Sequence, residues 1–274
     1  MKPAPFDYCR PGTLAEAVAA LAGQPNAKVL AGGQSLVPLL SMRLAAPALL
    51  VDINRIPGLD TITIEDGGVR VGALARHAAV LASPDVRRVQ PLVALALANV
   101  AHATIRNRGT TVGSLVHADA AAEMPVVLTL LGGSVDVEGP GGRRTIAADD
   151  LFVGPLESAV RHDEIAVSAF FPGLAPGAGV AFEEIARRHG DYALVGAAAL
   201  VEGESVKVGY LSVSDVPTVV DLTGVADADL GEAALAQLEP ADDIHATAAY
   251  RAQLVRVLTS RVVRSAKAHA EGDR

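Results

Sequence analysis

The pattern of apolar and polar positions predicts many short strands and helices in the first part of the chain. Thr13 and Glu16 have the spacing of a capping box, which marks the start of a helix. The expected elements are a strand at 6–10, a helix at 14–22, a strand at 28–31, a short helix from Ser35 to about Met42, and a strand at 48–53. This order indicates a small α/β unit.

The pattern changes after residue 58, where hairpins and helices are mixed. The middle segments are strands at 61–65 and 69–73, helices at 76–82, 91–101 and 125–131, and a hairpin of 134–138 with 143–146. A proline- and glycine-containing linker at 172–179 precedes strands at 180–186, 193–202 and 206–213 and helices at 229–237 and 245–267. Strict strand–helix alternation is absent, so we predict an α+β fold in three parts.

Composition and charge exclude several classes of protein. The net charge is −8 and no basic run is present, which argues against nucleic acid as a main partner. The single cysteine, Cys9, allows neither an intrachain disulfide nor a cysteine-ligated metal cluster. No signal peptide and no apolar stretch long enough to cross a bilayer are evident, so we expect a cytoplasmic protein without membrane insertion.

The first candidate site segment joins a strand to a short helix through two glycines. Glycine permits positive φ and close approach of a phosphate, and a helix start offers unpaired N–H groups. A tight turn that binds nothing is an equally good interpretation of this segment alone, and the spacing is not that of a Rossmann fingerprint. The candidate residues are Ala31, Gly32, Gly33, Gln34, Ser35 and Leu36.

The second candidate segment, residues 103–119, is the densest polar stretch of the chain. Its glycines permit close approach, its hydroxyls can donate to a phosphate, and Asp119 can accept hydrogen bonds from a sugar. Arg106 and Arg108 could stabilise phosphate charge or pair with acids of a partner chain. A solvated loop is the alternative. The candidate residues are Gly109, Thr110, Thr111, Gly113, Ser114 and Asp119.

Three motifs in register make the chain resemble a known family. The chain is similar to the FAD-binding medium subunits of molybdenum hydroxylases, which include carbon monoxide dehydrogenase and xanthine dehydrogenase. The motifs are Ala-Gly-Gly-Gln-Ser-Leu-Val-Pro-Leu-Leu at 31–40, Ile-Arg-Asn-Arg-Gly-Thr at 105–110 with Gly-Ser-Leu at 113–115 and His-Ala-Asp at 117–119, and Arg-His-Gly-Asp-Tyr-Ala at 188–193.

The resemblance implies a fold and a ligand. The fold is the FAD-binding fold of the vanillyl-alcohol oxidase type, with a C-terminal three-stranded antiparallel sheet and helices. The implied parts are lobes at 1–57, 58–175 and 176–274. The two glycine segments would hold the pyrophosphate of one non-covalent FAD, and Asp119 would bind its ribityl or sugar part. Tyr192 and Ile105 would lie near the flavin ring, as would Leu156. The resemblance implies that Tyr192 controls access to the ring. The alternative is that Tyr192 only packs at a lobe boundary.

The sequence departs from the family pattern at two positions. Val112 stands where the family usually has the first glycine of a pair, and Ala120 stands where proline often follows the aspartate. If position 112 required positive φ, a β-branched residue there would be strained. If it does not, only a backbone N–H is needed for binding, and valine supplies one. We assign no catalytic role to His102 or His117 and expect no catalytic or metal-ligating residue.

The resemblance also implies a role in electron transfer. A large partner subunit would carry molybdopterin and the substrate site. A small partner subunit would carry two [2Fe–2S] clusters, from which electrons reach FAD and then an external acceptor. A self-sufficient flavin oxidoreductase and a flavin-free assembly or scaffold protein are the two alternatives.

Overall fold

The N-terminal part of the chain is a small parallel sheet with two helices. A computed structural model describes residues 1–272. Its first elements are β1 (Asp7–Cys9), α1 (Leu14–Ala22), β2 (Ala27–Leu30), α2 (Leu36–Ser41) and β3 (Leu49–Asp52). The strand order is β1-β3-β2, with both pairs parallel. The predicted capping box is present, because the Glu16 N–H donates to Thr13 Oγ1 at 3.2 Å.

The middle part is built on a five-stranded antiparallel sheet of order β4-β5-β10-β6-β7. Its strands, with the small hairpin β8–β9, are β4 (Ile62–Glu65), β5 (Gly68–Gly72), β6 (Ser134–Gly139), β7 (Gly142–Ala147), β8 (Phe152–Gly154), β9 (Glu157–Ser158) and β10 (Ile165–Pro172). The sequence prediction lacks β10. This central strand is almost wholly apolar and mostly buried, so it has no polar alternation that would reveal it.

Short helices cover this sheet and connect its strands. They are α3 (His77–Ala82), α4 (Pro84–Val89), α5 (Pro91–Leu97), α6 (Ala103–Arg106), α7 (Thr111–His117), α8 (Glu123–Leu130) and α9 (Ala148–Leu151). Helix α4 is absent from the prediction, although Ser83 caps it and Pro84 opens it. Helix α5 is shorter than predicted. The chain leaves it near Ala98 and has a left-handed residue at Ala101 (φ 44°).

The C-terminal part is an antiparallel sheet packed against a long helix. Its elements are β11 (Gly179–Ala186), β12 (Ala193–Glu202), β13 (Ser205–Leu211), β14 (Thr218–Asp221), α10 (Leu230–Leu235) and α11 (Ala248–Ala270). The α+β class and the antiparallel C-terminal sheet are confirmed, but the sheet has four strands rather than three. The four-residue edge strand β14 follows Pro217 and is too short for alternation to mark it.

The middle and C-terminal parts share one hydrophobic core. Val180, Ala198 and Leu211 belong to the same buried cluster as residues of α5, α8 and the five-stranded sheet. Gly209 on β13 allows α8 to approach, because a Cβ there would lie 2.6 Å from Val126 Cγ2. A second cluster fills the space between the C-terminal sheet and α11. Within residues 1–272, no helix is long and apolar enough to cross a membrane.

Candidate functional site

The first glycine segment runs from β2 into α2. Gly33 has φ +74°, a conformation that favours glycine, and Gln34 Nε2 donates to the Gly32 carbonyl at 3.2 Å. The prediction that the Ser35 side chain caps α2 is wrong. Ser35 occupies the capping position, but it has φ −97° and ψ −47° and its side chain makes no capping hydrogen bond. A capping residue normally has extended angles that let its oxygen reach the next turn. The Ser35 hydroxyl borders the cleft described below instead.

The second segment is two short helices rather than a glycine turn. Thr110 caps α7, and its Oγ1 accepts a hydrogen bond from Gly113 N at 3.2 Å. A Cβ at position 113 would lie 2.5 Å from that same oxygen, so the cap requires glycine there. Val112 lies in the first turn of α7 and is 2% exposed, with no positive φ. The departure from the usual glycine pair therefore causes no backbone strain.

Thr111 faces away from the other candidate residues. Its side chain is fully buried, its Oγ1 lies 3.2 Å from His77 Nδ1, and its N–H donates to the Ala75 carbonyl. Burial first, and then the charge of Arg106, lowers the pKa of His77 to about 4, so this imidazole is neutral at neutral pH. Thr111 thus fixes the start of α7 from the interior and presents no free polar group to the cleft.

The two segments meet backbone to backbone at Gly32. A Cβ on Gly32 would collide with the Arg108 carbonyl oxygen and would lie 2.9 Å from Gly109 Cα. The Gly109 carbonyl in turn accepts a hydrogen bond from His77 N at 2.9 Å. Glycine at position 32 is therefore what allows two segments about 75 residues apart in sequence to form one wall.

Two polar residues that the sequence analysis did not select join these segments. Asn54 Nδ2 donates to the Ala31 carbonyl at 2.8 Å. Arg76 donates from Nη2 to Asn54 Oδ1 and from Nη1 to the Arg108 carbonyl, both at 2.6 Å. Neither residue belongs to a motif, and no spacing in the sequence relates them. The contact arises only because β3 ends beside the connection that leads to α3.

A cleft of about 520 Å³ lies between the two segments. Every predicted site residue except Thr111 lines it, and the structure thus brings together residues from three distant parts of the chain. These are Ala31, Gly32, Gly33, Gln34, Ser35, Leu36, Ile105, Gly109, Thr110, Gly113, Ser114, Asp119 and Tyr192.

Donor groups in the cleft wall suit an anionic ligand. Among residues 1–272, the hydrogen bonds leave free the N–H groups of Gly33, Gln34, Ser35 and Val112, and the hydroxyls of Ser35 and Ser114. Clustered backbone N–H groups and hydroxyls of this kind bind phosphate, and Lys28 also lines the cleft. A cleft of this size, lined by both apolar and polar side chains, is typical of a cofactor site. The residues present therefore fit a dinucleotide such as FAD.

Two large side chains of the cleft lining are well exposed. Tyr192 is 65% exposed and Leu156 is 57% exposed. Leu156 is held in a left-handed conformation (φ 57°) and donates its N–H to the Ala118 carbonyl at 3.1 Å. Asp119 Oδ1 accepts from Ala121 N at 2.9 Å, which fixes that carboxylate beside the cleft. His117 also borders the cleft, whereas the His102 ring packs beside Gly190.

The two arginines of the second segment have different surroundings. Arg106 Nη1 donates to the carbonyls of Val100 and Ala101, both at 2.8 Å, so it holds the chain before α6. Arg108 borders a second cavity of about 410 Å³, whose lining also includes Gly32 and Gly33. Among residues 1–272, no group of three or more His, Cys, Asp or Glu side chains is arranged to hold a metal ion.

The fold and the cleft define a flavin-binding class, and comparisons with known proteins identify the family. The family described as "FAD binding domain in molybdopterin dehydrogenase" matches residues 4–174. The family described as "CO dehydrogenase flavoprotein C-terminal domain" matches residues 180–266.

Individual relatives agree with these matches over nearly the whole chain. The chain is 40% identical to the 6-hydroxypseudooxynicotine dehydrogenase complex subunit alpha of Paenarthrobacter nicotinovorans, over 97% of this chain and 96% of that protein. It is 34% identical to the carbon monoxide dehydrogenase medium chain of Hydrogenophaga pseudoflava, over 97% and 98% of the two chains. A solved structure of carbon monoxide dehydrogenase from H. pseudoflava superposes with a TM-score of 0.92 at 33% identity, covering 98% of this chain and 99% of that one.

The chain therefore belongs to the family of FAD-binding medium subunits of molybdenum hydroxylases. The resemblance that the three sequence motifs indicate is confirmed, and so is the FAD-binding fold that it implies.

Proposed function

We propose that this chain is the FAD-binding electron-transfer subunit of a molybdenum-containing hydroxylase or dehydrogenase. The observation that carries the proposal is the packing of Gly32 against Arg108 and Gly109, which joins two distant segments into one wall of the cleft. Family membership supports FAD as the ligand of that wall. The relatives are subunits of dehydrogenases and hydroxylases, which supports an oxidoreductase.

The wall would hold the pyrophosphate of FAD between α2 and α7. The free N–H groups of Gly33, Gln34 and Val112 would donate to phosphate oxygens, together with the hydroxyls of Ser35 and Ser114. Asp119 would accept from hydroxyls of the cofactor. Ile105, Leu156 and Tyr192, which also line the cleft, would lie near the flavin ring.

Bound FAD would supply the redox chemistry, and the chain would supply position and electrostatics. We infer a large partner subunit with molybdopterin and a small one with [2Fe–2S] clusters. Relatives bear the names "medium chain" and "complex subunit", which supports a multi-subunit assembly. Cluster ligands must come from a partner, because iron–sulfur clusters need several cysteines and this chain has only Cys9.

We also propose the division into parts at 1–57, 58–175 and 176–274. The three larger sheets support it, because one of them lies in each part. The cytoplasmic location expected from the sequence stays a prediction.

The full chain, purified and incubated with FAD, tests this proposal. We expect flavin absorption bands at about one FAD per chain, as a single cleft implies. We expect no turnover of N-heteroaromatic or aldehyde substrates by this chain alone. Turnover should require copurified partner chains and should stop when FAD is stripped from the complex and return when FAD is added.

Two outcomes would favour the alternatives. Substrate oxidation by the FAD-loaded chain alone would indicate a self-sufficient flavin oxidoreductase. A colourless chain that cannot be loaded with FAD would indicate an assembly or scaffold protein and would overturn the proposal.

A further inference from the structure

Arg251 is a buried cation of the C-terminal part that lies outside the cleft lining. It stands near the start of α11 and is 6% exposed, and its Nε has no hydrogen-bond partner among the described residues. A cation near the N-terminus of a helix gains nothing from the helix dipole, and a buried charge is costly unless partners satisfy it. The position of Arg251 is therefore explained by its partners, which all lie outside α11.

The guanidinium of Arg251 connects two strands at the point where their backbone pairing ends. The ladder of β12 and β13 ends at the pair Gly196 and Leu211. Beyond that pair, Arg251 Nη1 donates to the carbonyls of Leu194 and Ser212, both at 2.6 Å. The side chain thus holds the two main chains together where the sheet no longer does.

A β-bulge explains why the Leu194 carbonyl is available to a side chain. The pairing register of β11 and β12 shifts between Ile185 and Ala186, which leaves Leu194 as the extra residue of β12. The extra residue of a bulge is unpaired with the neighbouring strand. Tyr192 stands two residues before Leu194 and lines the cleft. The bond from Arg251 therefore fixes the end of β12 from which Tyr192 extends.

Ser212 connects Arg251 to the turn between α7 and α8. Its backbone is left-handed (φ 60°), a conformation that residues other than glycine seldom adopt and that the surrounding structure must hold. Its N–H donates to the Ala120 carbonyl at 2.9 Å, while its own carbonyl accepts from Arg251. Ala120 directly follows Asp119, which lines the cleft. Arg251 is thus two hydrogen bonds away from the main chain beside Asp119.

Tyr192 and Asp119 lie near each other in the cleft lining, although they are distant in sequence. The pKa of the Tyr192 phenol is raised by partial desolvation first and then by the charge of Asp119. Since Arg251 holds the main chain next to each of these residues, one guanidinium fixes both members of the pair.

Asp243, in the connection between α10 and α11, supplies the counter-charge of Arg251. Its Oδ2 accepts from Arg251 Nη2 at 2.5 Å, and its Oδ1 accepts from the N–H groups of His245 and Ala246, both at 2.8 Å. The N–H of Ala246 first, and then that of His245, lower the pKa of Asp243 to about 2, so this carboxylate is charged at neutral pH. The charge of Arg251 is balanced while its Nη1 stays on the two carbonyls.

We propose that Arg251 is a positioning residue of the cofactor cleft. Through the two carbonyls that it holds, it sets the spacing between Tyr192 and Asp119 and thereby the width of the cleft at these side chains. This inference rests on the proposed use of the cleft for FAD. The alternative is that Arg251 only stabilises the C-terminal part of the chain, and matched variants distinguish the two roles.

Arg251→Lys tests the proposal in the full-length chain. A lysine keeps the charge, but its single nitrogen cannot hold two carbonyls and a carboxylate in fixed directions. We expect the FAD dissociation constant, measured by flavin fluorescence, to rise by about tenfold, the effect of one lost charged hydrogen bond. The visible circular dichroism of the bound flavin should also change, since Tyr192 would lie near the ring. Asp243→Asn leaves Nη1 on both carbonyls and should have a smaller effect on both measurements.

Thr259→Val is the matched control for loss of stability. Thr259 is a fully buried residue of the same helix, and its Oγ1 forms a hydrogen bond with the Tyr210 hydroxyl on β13 at 2.6 Å. Neither residue lines the cleft. Valine lacks the hydroxyl, so this variant should lower the free energy of unfolding in urea and leave FAD affinity and flavin dichroism unchanged. If it weakened FAD binding as much as Arg251→Lys at equal loss of stability, Arg251 would have only a structural role.

A double-variant cycle tests whether Arg251 acts through the cleft residues. In a chain that carries Asp119→Ala and Tyr192→Ala, the side chains that Arg251 positions are absent. Adding Arg251→Lys there should raise the FAD dissociation constant by less than about twofold. A tenfold rise in that background, or wild-type affinity of Arg251→Lys alone, would overturn the inference while FAD binding itself remains. A wild-type chain that binds no FAD would overturn the proposed function instead.

Discussion

At the scale of single residues, the glycines of the cleft have different structural roles. Gly33 supplies a left-handed backbone, Gly113 leaves room for the capping hydroxyl of Thr110, and Gly32 allows two main chains to touch. The sequence predicts glycine-dependent backbone geometry at all three positions. It does not distinguish their roles, because the role of Gly32 depends on Arg108 and Gly109, far away in sequence.

Gly32→Ala is expected to weaken FAD binding while the chain still folds. The new Cβ would meet the Arg108 carbonyl, which cannot move without displacing the start of α7. Overpacking of this kind destabilises a protein by about 1–3 kcal/mol. Because FAD binding requires the two segments to stay close together, this strain should raise the FAD dissociation constant by about tenfold or more. Fluorescence titration with FAD measures this effect.

Gly141→Ala is the matched control for this change. Gly141 lies in the hairpin between β6 and β7, with open space at its Cβ position and no positive φ. This variant should bind FAD as wild type does. Equal affinities of the Gly32 and Gly141 variants would contradict the assigned role of the Gly32 contact.

At the scale of elements, the cleft depends on how β3, α3 and α6 are held together. Arg76 connects the Asn54 side chain, which holds the Ala31 carbonyl, with the Arg108 carbonyl. One guanidinium thus sets the spacing of the two glycine segments that form this wall of the cleft. A lysine has a single charged nitrogen and cannot reproduce two hydrogen bonds in fixed directions.

Arg76→Lys is expected to raise the FAD dissociation constant by about tenfold, since one charged hydrogen bond is lost and the wall loosens. Asn54→Ala should have a similar effect. The double variant should lose less binding free energy than the two single variants together, because both residues act through one connection. Exposed Arg88, which pairs with Asp85 on α4, provides the control Arg88→Lys. Fully additive losses would indicate that Arg76 and Asn54 act independently.

At the scale of the whole molecule, one core joins the middle and C-terminal parts across α8. This helix begins with Glu123 in the cleft wall and packs through Val126 against Gly209 on β13. A change at that contact should therefore reach the cleft through α8 although it lies outside the cleft lining.

Gly209→Val tests this connection. Valine favours a strand, but its Cβ would lie within 2.6 Å of Val126 Cγ2, so α8 must move. We expect the free energy of unfolding to fall by about 1–3 kcal/mol, measured by urea denaturation, with weaker FAD binding in the folded protein. Lys207→Val, on the exposed side of the same strand, should cause neither change. A destabilised variant with unchanged FAD affinity would show that α8 does not couple this contact to the cleft.

The sequence by itself determined the α+β class, most of the short elements and the two glycine segments of the cleft. Those features follow from local signals: period, capping patterns, and glycines beside hydroxylated residues. Ile105 and Tyr192 follow from the family resemblance instead. The sequence could not reveal β10 or β14, because one is buried without alternation and the other is too short.

Only the tertiary structure decided which polar groups act at the cleft. In the folded chain, Thr111 points inward and contacts His77, and Ser35 makes no capping hydrogen bond. Arg76 and Asn54 lie between the two glycine segments. Glu123 is buried near Glu184. The physical reason is that burial and hydrogen-bond partners are set by segments distant in sequence. A residue's type limits what it can donate or accept, but its packed neighbours decide whether it is charged, satisfied or free to bind.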